Sequence, residues 1–218
     1  PGAGFLFGSG YPGGANLTGD NNGLFQGNVS MDNQVVGFGF DVNNGTFSNN
    51  ADEGSGYGVF ANSNAGIFSG NSSTDSQNDG FRFTGDNTGS FVNNTATGAV
   101  FDGFDFDDNT GTFTGNVAMD NLDNGFEFDD NFGLFSENSA TGNQNDGFQF
   151  DDNFGTMTRN TASRNLGDGF QFDVNAAGGI FNDNRSTQND FFGFRLNAQN
   201  GTATGNTASG NGTNNDVP

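Results

Sequence analysis

The chain has 218 residues, no Cys, Trp or His, 28 Phe, 38 Gly and a formal net charge of -21 at pH 7. Without cysteine there is no disulfide framework and no thiolate metal site. With only 5 Lys and Arg together, nucleic acid and anionic membranes are poor partners and cations are the natural ones.

High charge and low hydrophobicity also describe a disordered acidic tail. The phenylalanines are too many and too regularly placed for that, and each is worth about 1.5–3 kcal/mol when buried. The chain opens on Pro1 rather than Met, which reads as a mature or trimmed product. No apolar run approaches the ~20 residues that span a bilayer, so membrane insertion is not expected.

In chain order, Gly4-Phe5-Leu6-Phe7 comes first, followed by the disturbed stretch Tyr11-Pro12-Gly13. Residues 1–13 are read as an N-terminal strand and 14–218 as one repeat domain. From there one series of glycines, opening a short Gly-x-Phe motif in most copies, recurs at Gly23, Gly45, Gly66, Gly89, Gly111, Gly133, Gly155, Gly179 and Gly201. The intervals are 22, 21, 23, 22, 22, 22, 24 and 22 residues. Five positions after each stands an asparagine: Asn28, Asn50, Asn71, Asn94, Asn116, Asn138, Asn160, Asn184 and Asn206. A second asparagine follows five residues later at Asn33, Asn121, Asn143, Asn165, Asn189 and Asn211, replaced elsewhere by Ser55, Ser76 and Ala99.

The second motif, Gly-Phe-x-Phe, begins at Gly37, Gly80, Gly103, Gly125, Gly147 and Gly169, with a variant at Gly193. Between Gly56 and Phe60 the two sites fall either to Tyr57 and Val59 or to Gly58 and Phe60. Two extra residues near Ala176 and Ala177 read as a small bulge. Aromatics two apart with polar residues between them have the period of a strand with one buried face. The pairs Phe104 and Phe106, Phe126 and Phe128, Phe148 and Phe150, and Phe170 and Phe172 are therefore expected to stack as a core.

The segment after each asparagine turns a small residue inward: Ser30, Ser73, Ala96, Ala118, Ala140, Ala162, Ser186 or Ala208. Pairs such as Asn124-Gly125, Asp146-Gly147 and Asp168-Gly169 mark corners, where Gly and Asn accept positive φ most cheaply.

A fixed period of this length means one solenoid coil per repeat, with no coil able to bury its apolar face alone. Stacked coils place each residue about 4.8 Å from its copy, so Phe lies on Phe and Asn forms amide ladders. The expected fold is all-β: a single-stranded parallel β-helix of about nine coils of about 22 residues. The Asn-x-x-x-x-Asn spacing and the Gly-Phe turns resemble the right-handed parallel β-helix repeats of the pectate-lyase-like superfamily. That resemblance implies the fold and its hand. It also implies, for enzymes of that group, acidic sugars bound in a groove beside Ca²⁺-holding aspartates and an Arg or Lys base.

The residues themselves give a different emphasis. Asp107, Asp129, Asp151 and Asp173 form one acidic column, and Asp108, Asp130 and Asp152 form the next. Charges about 5 Å apart repel by roughly 1 kcal/mol in water and about 3 at an effective dielectric of 20. Clustered hard oxygens suit Ca²⁺, so adjacent coils are expected to share Ca²⁺ along this edge; the alternative is a solvated acidic face.

Outward Thr46, Thr112, Thr156 and Thr202 resemble the rows of ice-binding solenoids, but Leu24, Ile67, Leu134 and Ile180 interrupt them. Arg159 and Arg164 are the one close Arg pair and stand apart from the Asp columns. No His or Lys offers a general base and no long loop walls a pocket, so no enzyme is expected. Sequons occur at Asn16, Asn28, Asn44, Asn71, Asn93, Asn184, Asn200 and Asn211.

No capping helix is evident at either end. Phe5 and Phe7 either complete the open end of another copy by strand addition or fold back on their own first coil. Head-to-tail contact of the first kind builds filaments. The expected function is a structural extracellular or cell-surface protein, a filament or stalk subunit stabilised by divalent cations. The alternatives are a carbohydrate- or ice-binding module and a calcium-dependent polysaccharide lyase.

Overall fold

The computed structural model describes residues 3–6 and 19–213. The first strands are β1 (Ala3–Leu6), β2 (Leu24–Gln26), β3 (Val29–Met31), β4 (Val36–Asn43), β5 (Thr46–Ser48), β6 (Ala51–Glu53) and β7 (Tyr57–Asn64). Every third strand joins the same sheet, and the described residues form three sheets of nine strands each. All pairings are parallel and in register, as in Phe104↔Phe126, Phe113↔Phe135 and Ala118↔Ala140. This is a parallel β-helix. Sheet A carries the Gly-Phe-x-Phe strands, sheet B the Gly-x-Phe strands and sheet C the small-residue strands.

The rings stack as expected. Phe104 and Phe126 have centroids 4.8 Å apart and planes 4° apart, and Phe126 and Phe148 follow at 4.9 Å and 5°. A second column runs through Phe106, Phe128 and Phe150 at 5.0 and 5.1 Å, and tilts to 36° at Phe172. Sheet B adds a third column, in which Phe113 meets Phe104 edge-on at 5.9 Å and 90°. Stacked contacts within columns and T-shaped contacts between them are the two arrangements that the ring quadrupole favours.

The predicted asparagine ladder is continuous from Asn28 to Asn206. Asn116 is typical: its backbone N–H and Nδ2 both donate to Asn138 Oδ1, at 2.9 and 3.1 Å, and Nδ2 also donates to the Phe91 carbonyl at 3.1 Å. The side chain ties its coil to the one before and the one after. A further ladder, not anticipated from the sequence, links Asn21, Asn43, Asn64, Asn87, Asn109, Asn131, Asn153 and Asn175 through Nδ2–Oδ1 bonds of 2.7–2.8 Å.

Three readings of the repeat need correction. In the ambiguous coil neither expected pair faces inward: Val59 and Ala61 do, opposite Phe81 and Phe83. Gly58 keeps the register of the preceding glycines, and Phe40 and Phe83 meet across the small Ala61 at 6.3 Å. Tyr57 and Phe60 instead lie half-buried outside, edge to face at 5.1 Å.

Positive φ is not found at Gly125, Gly147 or Gly169. It falls on the residue before each ladder asparagine, including Glu137 (φ 59) and Arg159 (φ 56), and again five residues later, including Asp120 and Arg164. The Gly-Phe glycines are required by space: a Cβ on Gly147 would lie 2.7 Å from the Gly169 carbonyl oxygen. The inward column of sheet C also holds a residue outside the expected small set. Asp52 stands there between Ser30 and Ser73.

β1 pairs with β4 of its own chain, with Phe5 opposite Phe38. Phe7, and the expected boundary between residues 13 and 14, lie outside the described residues.

Candidate functional site

The acidic columns run as columns. Asp107, Asp129, Asp151 and Asp173 are exposed, and Asp108, Asp130 and Asp152 are half-buried in register. Asp108 Oδ1 accepts the Asp130 N–H at 3.1 Å, and Asp130 Oδ1 accepts the Asp152 N–H at 3.0 Å. Burial first, and like charges with it, raise the pKa of both Asp108 and Asp130. One oxygen of each is thus already committed to the next coil.

Three carboxylates gather elsewhere. Among the described residues, one group of three acids has oxygens all within 4.8 Å of one another: Asp79, Asp102 and Asp105. Asp79 and Asp102 directly precede Gly80 and Gly103, so each sits where sheet C turns into sheet A. They begin a buried column that continues through Asn124, Asp146 and Asp168. Each member's Oδ1 accepts the backbone N–H of the next coil: Asp79 from Asp102 (3.2 Å), Asp102 from Asn124 (2.8 Å), Asn124 from Asp146 (3.0 Å) and Asp146 from Asp168 (2.6 Å). Asp105 lies between the two inward rings of its strand and therefore points outward, paired with Arg82. The sequence signal was an Asp before the Gly-Phe motif in four coils, which reads as turn chemistry until stacking buries it.

Burial pushes Asp79 up to about 6, against the opposing Asp102 N–H and Arg82. Burial, reinforced by Glu127, Asp79 and Asp123, pushes Asp102 up to about 8. Asp146 rises to about 6, again mainly from burial. Around the triad Tyr57, Phe60, Arg82, Thr84 and Phe101 line a hollow of about 490 Å³. Further along the same flank Gln149, Asp168, Gln171, Phe191 and Arg195 line another of about 450 Å³.

The triad fits a hard divalent cation. Oxygens on a Ca²⁺ at ~2.3–2.6 Å can be no more than about 5 Å apart, and these lie within 4.8 Å. Binding there displaces protons held by Asp79 and Asp102, which makes affinity rise with pH. Arg82 competes for Asp105.

In pH terms the three raised acids act together. A group whose pKa is raised on folding stabilises fully below its unfolded value of 3.8 and loses that contribution as pH climbs through its folded value. With chelator present, melting temperature should therefore fall between pH 5 and pH 9, by on the order of 10–20 °C for a loss of about 5–7 kcal/mol. Asp102→Asn should flatten the upper part of that curve, because Asn124 already performs the same backbone acceptance with an amide. A curve rising with pH would contradict the burial of these carboxyls.

A family model described as a right handed beta helix region matches residues 13–155. The chain belongs to the right-handed β-helix family. No curated protein and no solved structure matches it.

Within this right-handed β-helix, the remaining sequence features fall on the surface or in the ladders. Arg159 is exposed and paired with Glu137 at 2.9 Å, and Arg164 is exposed at the next corner. Of the sequon asparagines, Asn71 and Asn184 are buried in the ladder, Asn28 and Asn211 take part in ladders, and Asn44, Asn93 and Asn200 are exposed. Asn16 lies outside the described residues. No helix among the described residues of this β-helix is long and apolar enough to cross a membrane.

Proposed function

We propose that this β-helix is a structural protein of the cell exterior, a rigid filament or stalk subunit braced by a divalent cation, with Ca²⁺ the best chemical fit. The observation that carries the reading is the unbroken ladder from Asn28 to Asn206. Coils this uniform make a stiff rod about 40 Å long at ~4.8 Å per coil. On this reading the acids hold a cation and perform no reaction. Asp79, Asp102 and Asp105 are its ligands, and the exposed Asp107, Asp129, Asp151 and Asp173 add weaker, screened attraction for cations. Copies extend the rod by stacking along the axis.

The test is a melting curve with calcium and with chelator, alongside electron micrographs of both samples. Calcium at about 100 times its Kd should add about 2.7 kcal/mol, and Asp102→Asn with Asp105→Asn should abolish the gain. An identical melting point in both conditions would remove the cation from the account. Dispersed single particles in both would remove the filament.

A second reading is favoured by one feature, the hollow where Gln149, Gln171, Arg195 and Asp168 face exposed Phe191. Polar groups beside a ring suit a sugar chain. Retention on an immobilised glycan, lost in Arg195→Ala, would favour it over the structural reading.

A further inference from the structure

Among the described residues, the inward column of sheet C carries one ionisable side chain. Asp52, on β6, faces inward and is 2% exposed, in the column that other coils fill with Ser or Ala. Its Oδ1 accepts the Ser55 hydroxyl at 2.7 Å. Its Oδ2 is buried without a hydrogen-bond partner. It packs directly on the glycine of β4: a Cβ on Gly37 would overlap Asp52 Oδ1.

The corner beside it is also where the column of second asparagines, an amide ladder from Asn121 through Asn143, Asn165 and Asn189 to Asn211, is interrupted. Asn33 donates to Ser55 Oγ at 3.2 Å, Ser55 donates to Asp52, and the next serines bond locally as Ser73 to Ser76 at 2.8 Å. The amide ladder resumes only with the Ala99 N–H on Asn121 Oδ1 at 3.0 Å.

An unpaired buried charge costs far more than a neutral acid in the same place. We propose that Asp52 is a proton-operated latch, held in the lumen as a neutral acid and releasing β3 and β6 from the core when its proton leaves. Burial is the main force keeping the proton on, offset in part by Ser55 and Ser30, and it places the pKa at about 6. Of the charges on surrounding elements, Asp32 after β3 adds repulsion. Glu53 on β6 and Asp75 beyond Ser73 are exposed, and Asp41 on β4 is half-buried. None of these is a cation.

The consequence is local and measurable. For a carboxyl moving from 3.8 in the open form to about 6 in the closed one, opening becomes about tenfold more favourable between pH 5 and pH 8. Native-state hydrogen exchange on the full chain, corrected for intrinsic rates, reads this residue by residue. Between these pH values wild type should lose about tenfold more protection than Asp52→Ser in residues 29–53, while the two proteins should not differ beyond residue 104. Asp52→Ser, matching Ser30 and Ser73, and Asp52→Asn, which keeps the Ser55 bond, should both remove the local pH dependence. Both variants leave Asp79, Asp102 and Asp146 in place, so a persisting local opening would assign the effect to the flank acids and overturn the proposal. Equal protection at both pH values in wild type, or a difference between wild type and Asp52→Ser spread evenly along the whole chain, would overturn it as well.

Discussion

Gly147→Ala is expected to cost more than about 4 kcal/mol, enough to leave little folded protein. The added Cβ would sit 2.7 Å from the Gly169 carbonyl oxygen, 2.8 Å from Asn165 Nδ2 and 3.0 Å from the Ala162 Cβ. The first belongs to the backbone of the next coil, the second to a ladder and the third to the core wall, so none can yield separately. The spacing to the next coil would have to open. Gly115→Ala provides the contrast. Its φ of 69° is a left-handed conformation that Asn93, Glu137 and Arg159 already adopt in the same column, and its closest neighbour is the end of the exposed Asn93 side chain. That change should cost about 1–2 kcal/mol. Urea denaturation of the two variants separates the cases; equal mild losses would mean that the Gly-Phe glycines are not pressed against the next coil.

Asn138→Ala should lose about 3–5 kcal/mol. Its Oδ1 receives the Asn116 N–H at 2.9 Å and Asn116 Nδ2 at 3.1 Å, while its own Nδ2 reaches the Phe113 carbonyl and Asn160 Oδ1, both at 3.1 Å. Truncation removes four hydrogen bonds. The Asn116 N–H and the Phe113 carbonyl lose the side chain outright, while Asn116 Nδ2 keeps the Phe91 carbonyl and Asn160 Oδ1 keeps the Asn138 N–H. Each buried group left unpaired costs about 1–3 kcal/mol unless water enters. Asn138→Asp should be worse, because a carboxylate would face two acceptors where the amide donates. Asn143→Ser should be milder, since Ser55 and Ser76 occupy that column naturally. Thermal melts of the three variants give the order directly; an Asn138→Ala melt close to wild type would show that the ladder adds little.

The parts of this structure readable from the sequence were those set by repetition. Nine asparagines at a fixed offset have one geometric meaning, and so do phenylalanines two apart with a polar residue between. The ladder from Asn21 through Asn175 carried an equal signal at coil spacing, but each member except Asn175, which the extra residues separate, stands two residues before the glycine of the Gly-x-Phe series, where asparagine also reads as ordinary turn chemistry. The acid triad was hidden for a related reason. Asp79 and Asp102 precede glycines, as turn aspartates do, and only the stacking of the next coil buries them and brings Asp105 alongside. Val59 was among the candidates for its coil, but its partner Ala61 was not, because the neighbouring Tyr57 and Phe60 carry the aromatic signal that the inward sites have in other coils. Asp52 broke the pattern of its column outright, and a carboxylate among serines and alanines was the signal available there.

The central claim is that side chains one coil apart lie directly over one another. Cross-hydrogen-bond scalar couplings in a nitrogen- and carbon-labelled sample test it most directly. The account predicts couplings from the Asn94 backbone N to Asn116 Cγ, from Asn116 to Asn138 and from Asn138 to Asn160. Couplings to a residue beside the predicted partner, or none at all in a well-ordered spectrum, would contradict it.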